Sequence, residues 1–170
     1  NDSPPHASID YGPTWSPDGS QIAFQTYRHR SCCPPNGNLE IYKMDANGSN
    51  ETRLTNNSGA DTVPAWSPDG TLIAYTSNIT GNDEIWVMDT NGLNPTNLTN
   101  NPAEDSMATW SPDGREIAFG SDRGGDEEIF VMDAANGANQ TALTSNAADD
   151  SNPNWSSDLS PAVPAISARG

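Results

Sequence analysis

Five residues ahead of each of four regularly placed tryptophans stands an aspartate: Asp10, Asp61, Asp105 and Asp150 precede Trp15, Trp66, Trp110 and Trp155. Glu104 and Asp149 sit directly beside two of them. Carboxylates that recur at one structural position suit a hard cation, and calcium is the natural ion for carboxylate and carbonyl oxygens. With no Lys or Arg nearby, such a set must be hydrated, partly protonated or metal-bound. The spacing nominates Asp10, Asp61, Asp105, Asp150, Glu104 and Asp149 as metal ligands, with calcium expected. The competing reading is that each Asp caps a local turn.

Other chemistry has less support. A second acidic set, Asn82-Asp83-Glu84 and Gly124-Gly125-Asp126-Glu127-Glu128, reads as hairpin turns. Asp18, Asp69 and Asp113 belong to a turn motif, and Asp45, Asp89 and Asp133 precede Asn-Gly-type turns, so both sets read as structural. His6 and His29 are the only histidines, and no G-x-S-x-G elbow is present. Paired carboxylates are common enough for glycoside hydrolysis, but their repetition argues for architecture. Cys32 and Cys33 are adjacent, which is not zinc-ligand spacing. They are either a disulfide of an oxidising compartment or two loop thiols.

The positioning element is a repeat. Trp-Ser-Pro-Asp-Gly occurs at Trp15, Trp66 and Trp110, with a decayed copy at Trp155, at spacings of 51, 44 and 45. Each unit adds Ile-Ala-Phe/Tyr, then Glu-Ile-x-x-Met-Asp starting at Glu40, Glu84 and Glu128, then Leu-Thr at Leu54, Leu98 and Leu143. Trp to Glu is 25 residues in the first unit and 18 in the next two, which locates a seven-residue insertion in the Arg28–Asn38 loop. Ser-Pro-Asp-Gly predicts a type I turn, and Asn-Gly at Asn47, Asn91 and Asn136 predicts another. Strand-length segments lie between, giving four strands per unit. Gly, Pro and Asn interrupt every stretch before a long helix can form.

A four-stranded unit of this length is a propeller blade. The motifs resemble the TolB-type β-propeller repeat, a relative of the WD-repeat blade, over roughly residues 8–158. The resemblance implies an all-β propeller of four-stranded antiparallel blades with the Trp-bearing strand nearest the axis. The Asp series would then start the inner strands by the central channel, and the tryptophans would pack between blades. Members include periplasmic interaction proteins and peptidase propellers, while pectate lyases on a related propeller use several metal-bound histidines, too many for this chain. The units run 10–57, 61–101 and 105–146, with a partial fourth over 149–158, after an extended segment 1–9 and before a Pro-rich tail 159–170. That is three complete blades plus one orphan inner strand, about Asp150–Trp155. Closed propellers use about 4 to 8 blades. The expectations are therefore a fragment of a larger ring, two copies closing six blades, or an orphan strand inserted head to tail into a neighbour. Self-assembly is favoured, and a different protein bound at the channel mouth is the alternative partner. The third alternative is the propeller portion of a larger hydrolase.

Charge and composition set the outer limits. Seven Lys and Arg against 23 Asp and Glu give a net charge of −16. That argues against a nucleic acid backbone and an anionic membrane as partners. No apolar run reaches the roughly 20 residues of a membrane span. The chain shows no basic-then-apolar leader. Eight N-x-S/T sequons among 19 Asn suit a secreted or periplasmic, glycosylated surface.

Overall fold

A computed structural model describes residues 9–27 and 38–156. The His6 segment, residues 28–37 with His29, Cys32 and Cys33, and the Pro-rich tail lie outside the described residues. Twelve strands form three antiparallel sheets, each ordered as a simple meander. The first holds β1 (Asp10–Trp15), β2 (Gln21–Thr26), β3 (Glu40–Asp45) and β4 (Thr52–Arg53). The second holds β5 (Asp61–Trp66), β6 (Leu72–Ser77), β7 (Glu84–Asp89) and β8 (Thr96–Asn97). The third holds β9 (Asp105–Trp110), β10 (Glu116–Ser121), β11 (Glu128–Asp133) and β12 (Thr141–Ala142). The Trp-bearing strands β1, β5 and β9 lie side by side as the innermost strands.

The motif turns close as their chemistry requires. Ser16 Oγ donates to Asp18 Oδ1 at 2.6 Å and accepts from Gln21 N at 2.9 Å, while Gly19 N donates to Ser16 O. Ser67 with Asp69 and Ser111 with Asp113 repeat this arrangement. The second hairpin type is pinned by Asn amides: Asn50, Asn94 and Asn139 donate to Asp45, Asp89 and Asp133. Both aspartate sets are structural.

Strand alternation gives every blade two apolar faces. Ala23, Ile41 and Leu54 of the first blade pack against Trp66, Ile73, Tyr75 and Met88 of the second. Ala74, Ile85 and Leu98 of the second pack in turn against Trp110, Ile117, Phe119 and Met132 of the third. The core is thus two seams. Trp66 Nε1 donates across the first seam to Thr14 O at 3.2 Å, and Trp110 Nε1 across the second to Ala65 O at 3.1 Å. Gly92 and Gly137 pass so close to the carbonyls of Leu54 and Leu98 that a Cβ would overlap them.

The ends of the arc provide an internal control. Trp66 and Trp110 are 9% exposed, whereas Trp15, at the same position with no blade before it, is 57% exposed. Leu54 and Leu98 are 8% and 6% exposed, but Leu143, with no blade after it, is 60% exposed.

Residues 150–155 follow the path of a fourth inner strand without entering a sheet. Asp150 N donates to Glu127 O at 2.6 Å, as Asp61 N and Asp105 N do to Leu39 O and Asp83 O. Trp155 Nε1 reaches Thr109 O at 3.2 Å. The third residue of each inner segment is left-handed: Gly12, Val63, Met107 and Asn152 have φ of 56°, 48°, 59° and 57°. In the three complete blades this residue sits at the register shift between the first two strands.

Val63 is the strained member of that series, because its side chain is β-branched. The left-handed region costs an L-residue about 1–2 kcal/mol, and glycine's extra unfolded-state entropy returns roughly 0.5–1 of that. Val63 is 38% exposed, so little packing is at stake. Val63→Gly should raise Tm by about 1–4 °C in a thermal melt. A lower Tm would mean that the valine side chain, not the backbone, decides stability here.

Candidate functional site

The recurrent acids sit in the seams. Asp61 and Asp105 are fully buried, each opposite a serine of the neighbouring strand, Ser77 and Ser121. Beyond those serines lie Glu84 and Glu128, so Asp, Ser and Glu form a polar row across the blade end. Blade one repeats it with Asp10, Thr26 and Glu40.

Asp61, Asp105 and Asp150 are each held by an Asn four residues earlier. Asn57 donates to Asp61 Oδ2 at 2.6 Å, Asn101 to Asp105 Oδ2, and Asn146 to Asp150 Oδ2 at 2.6 Å. Each Glu is held by the Leu-Thr threonine. Thr55 Oγ1 donates to Glu40 Oε2 at 2.7 Å, and Thr99 and Thr144 do the same for Glu84 and Glu128. The same hydroxyls accept from the amides of Ile41, Ile85 and Ile129. Glu104 and Asp149 are clasps between blades: Asp83 N donates to Glu104 Oε2 at 2.7 Å, and Glu127 N to Asp149 Oδ1 at 3.2 Å.

Two arginines correct the expectation that no base is near. Arg123 donates to Asp105 Oδ2 at 2.9 Å and lies over the rings of Phe119 and Phe130, 5.4 and 5.0 Å from their centroids. Arg53 meets Glu40 Oε1 at 2.6 Å. Both approach across strands, where proximity in sequence gives no warning. Among the described residues, no three carboxylate, His or Cys side chains are grouped for a metal ion. Asp61 and Asp105 stand one to each seam, and Asp150 stands on the outer end of the third blade.

Environment splits the acids into two classes. Burial pushes the Asp61 carboxyl up, tempered by hydrogen bonding from Ser77, Thr55, Asn57 and Glu40. Glu40 is raised by burial, with Asp61's charge adding to the rise, while Thr55 and Arg53 pull it down. Asp83 is raised by burial and then by Glu104. The turn aspartates go the other way. The Ser16 hydroxyl, with Ser20, lowers Asp18 to about 2, and Asp69, Asp113 and Asp45 are lowered chiefly by Ser67, Ser111 and Asn50.

The strand order, the seams and the motifs find their counterpart in a family model described as the TolB beta propeller domain, which matches residues 7–94 and 77–165. The chain belongs to the TolB β-propeller family. The TolB homolog of Chlorobaculum tepidum is 43% identical over 58 residues, which is 34% of this chain and 12% of that protein. A structure described as TolB from Agrobacterium tumefaciens superposes with a TM-score of 0.73 at 29% identity, over 86% of this chain and 54% of that one. A puromycin hydrolase gives a TM-score of 0.70 at 17% identity, over 88% of this chain and 24% of that one, a likeness of fold alone. The chain therefore spans about half, or less, of the proteins it resembles.

Within this TolB-type arc the sequons are not equivalent. The Nδ2 atoms of Asn50 and Asn139, which a glycan would occupy, donate to Asp45 and Asp133, and that of Asn97 is buried. Asn47, Asn56, Asn78 and Asn154 are exposed.

The two acid classes set the pH dependence. Asp61 and Glu40 bind protons more tightly when folded. They favour the fold as pH falls from their raised values towards the ordinary 3.8 and 4.5, and that gain is lost as pH rises through the raised values. The turn aspartates favour the fold above 3.8 and lose that contribution below it, Asp18 down to about 2. Repulsion from the net charge of −16 also weakens the fold at neutral pH. Tm should rise as pH falls from neutrality through the raised values of Asp61 and Glu40, and should fall again once the turn aspartates are protonated below 3.8, with Asp61→Asn reducing the rise. An equal rise in that variant would remove Asp61 from the account.

Proposed function

We propose that the chain is a non-catalytic TolB-like propeller module that works by protein binding on the periplasmic or extracellular side of the envelope, and that its partners include copies of itself. The carrying observation is the pair of open seam faces. The first blade offers Ile22 and Met44 where later blades bury the same residues, and the third offers Ile129 and Leu143 where earlier blades bury theirs. The two faces are the two halves of one internal seam. Covering an Ile, Met or Leu of this kind contributes about 1.5–3 kcal/mol each, against an ordering cost of association of roughly 4–15 kcal/mol. A full seam is therefore needed, and a full seam is what a second copy supplies.

The non-catalytic reading is supported by the engagement of the recurrent acids in seam hydrogen bonds. The TolB resemblance supports the periplasmic side. Because the two faces differ, contact between copies is head to tail, giving a ring if the rotation closes and a filament if it does not.

Light scattering over a micromolar to millimolar series is the test. Mass should grow with concentration, and Leu143→Asp should return the particle to a monomer. A monomer throughout would overturn self-association and leave a different protein as the partner for the open faces.

A further inference from the structure

We infer that the inner-strand segment Asp150–Trp155 is an exchange strand: it takes the place of β1 beside β2 of a second copy. This rests on the self-association proposed above and names its geometry. The two hexapeptides follow one pattern, Asp-Tyr-Gly-Pro-Thr-Trp and Asp-Ser-Asn-Pro-Asn-Trp. Each begins with the seam Asp, turns left-handed at the third residue, has Pro fourth and ends on the seam Trp. Among the described residues, one is paired to β2 and has no blade on its outer side, while the other is seated on the third blade and has no second strand.

When the first blade of one copy meets the third blade of another, a single slot receives both hexapeptides. Either β1 keeps the slot and residues 150–155 leave, or the reverse. Most anchors are equal in the two cases. Asp10 has the same type of side chain as Asp150 for the Asn146 amide, and Trp15 the same indole N–H as Trp155 for Thr109 O. One anchor differs. Asp149 accepts from Glu127 N, and Ile9, which would replace it, has no side-chain oxygen. Keeping β1 in the slot gives up that exposed hydrogen bond, whereas keeping residues 150–155 retains it. Release of β1 also frees Gly12, which gains more backbone freedom than Asn152 would.

The exchanged strand inherits the register of β1, in which Asp10, Tyr11, Thr14 and Trp15 face Thr26, Gln25, Ala23 and Ile22. Asp150, Ser151, Asn154 and Trp155 then face those residues in the other copy. The rest of the seam follows. Ile22 and Met44 cover Ile129 and Leu143. Gly48, which has open space where Gly92 and Gly137 meet a leucine carbonyl, comes under Leu143 O.

Two measurements test the exchange in a Cys32→Ser, Cys33→Ser background. Trp155→Ala should weaken self-association about tenfold or more, while Trp15→Ala leaves it within about twofold. Mixing a Ser151→Cys chain with a Gln25→Cys chain under oxidation should give a disulfide-linked pair containing one of each. The reverse ranking of the two tryptophans, or no mixed disulfide from chains that still associate, would overturn the exchange and leave self-association standing. A parent chain that stays monomeric would overturn both.

Discussion

The seam between adjacent blades is the interaction on which this structure depends. A meander of three six-residue strands and a two-residue edge strand is too thin to own a core, and alternation makes both of its faces apolar. A blade therefore draws its core from its neighbours. The seam Trp joins the two levels of organisation. Its ring fills the contact, and its N–H reaches a carbonyl of the previous inner strand, so packing and strand placement are set together. Gly92 and Gly137 show how close that placement is, since the backbone of one blade leaves no room for a Cβ on the next.

Buried acids at such a seam look costly, yet their surroundings explain them. Each seam Asp has a dedicated Asn donor, and each seam Glu has a dedicated Thr. Oδ2 of Asp61 and of Asp105 takes these donors while Oδ1 is buried without a partner, so a slip that lost the Asn amide would strip hydrogen bonding from a carboxylate already short of it. The acids thus set the register of blade on blade, while the apolar residues supply the attraction. The second seam adds Arg123 to its Asp, whereas the first leaves Asp61 to hydrogen bonds and a raised carboxyl.

Period and turn chemistry made the fold legible. Trp-Ser-Pro-Asp-Gly, the Asn-Gly turns and the spacing of Glu40, Glu84 and Glu128 locate each hairpin, and the inner strands start at Asp10, Asp61 and Asp105 as the Asp series implies. The site was legible only in part. The Asp series was visible as a set, but its partners were not, because they lie one blade away. A signal for them does exist. From each Glu to the next Asp is 21, 21 and 22 residues, and from each Glu to the Leu-Thr threonine 15, 15 and 16. Those constant offsets mark coupled positions, which distance from the Trp alone does not reveal. The left-handed residue within each inner strand was hidden, since Gly, Val, Met and Asn have no common local preference. Arg123 was hidden too, because only the pairing of β9 with β10 brings it to Asp105.

Repetition also decides where function can reside. In a stack of identical contacts the interior seams satisfy one another, and only the terminal faces retain unmet chemistry. Here that chemistry is specific. Trp15 and Leu143 are exposed at positions that are buried elsewhere in the same molecule, so each face carries a worked example of its own partner. An ordinary exposed apolar patch says only that something covers it. These faces specify a blade, with an indole donor on one side and a leucine and a backbone carbonyl on the other. A surface of that shape selects propeller blades over other apolar partners, because an occupant lacking the glycine under the leucine carbonyl would clash where Gly92 and Gly137 fit.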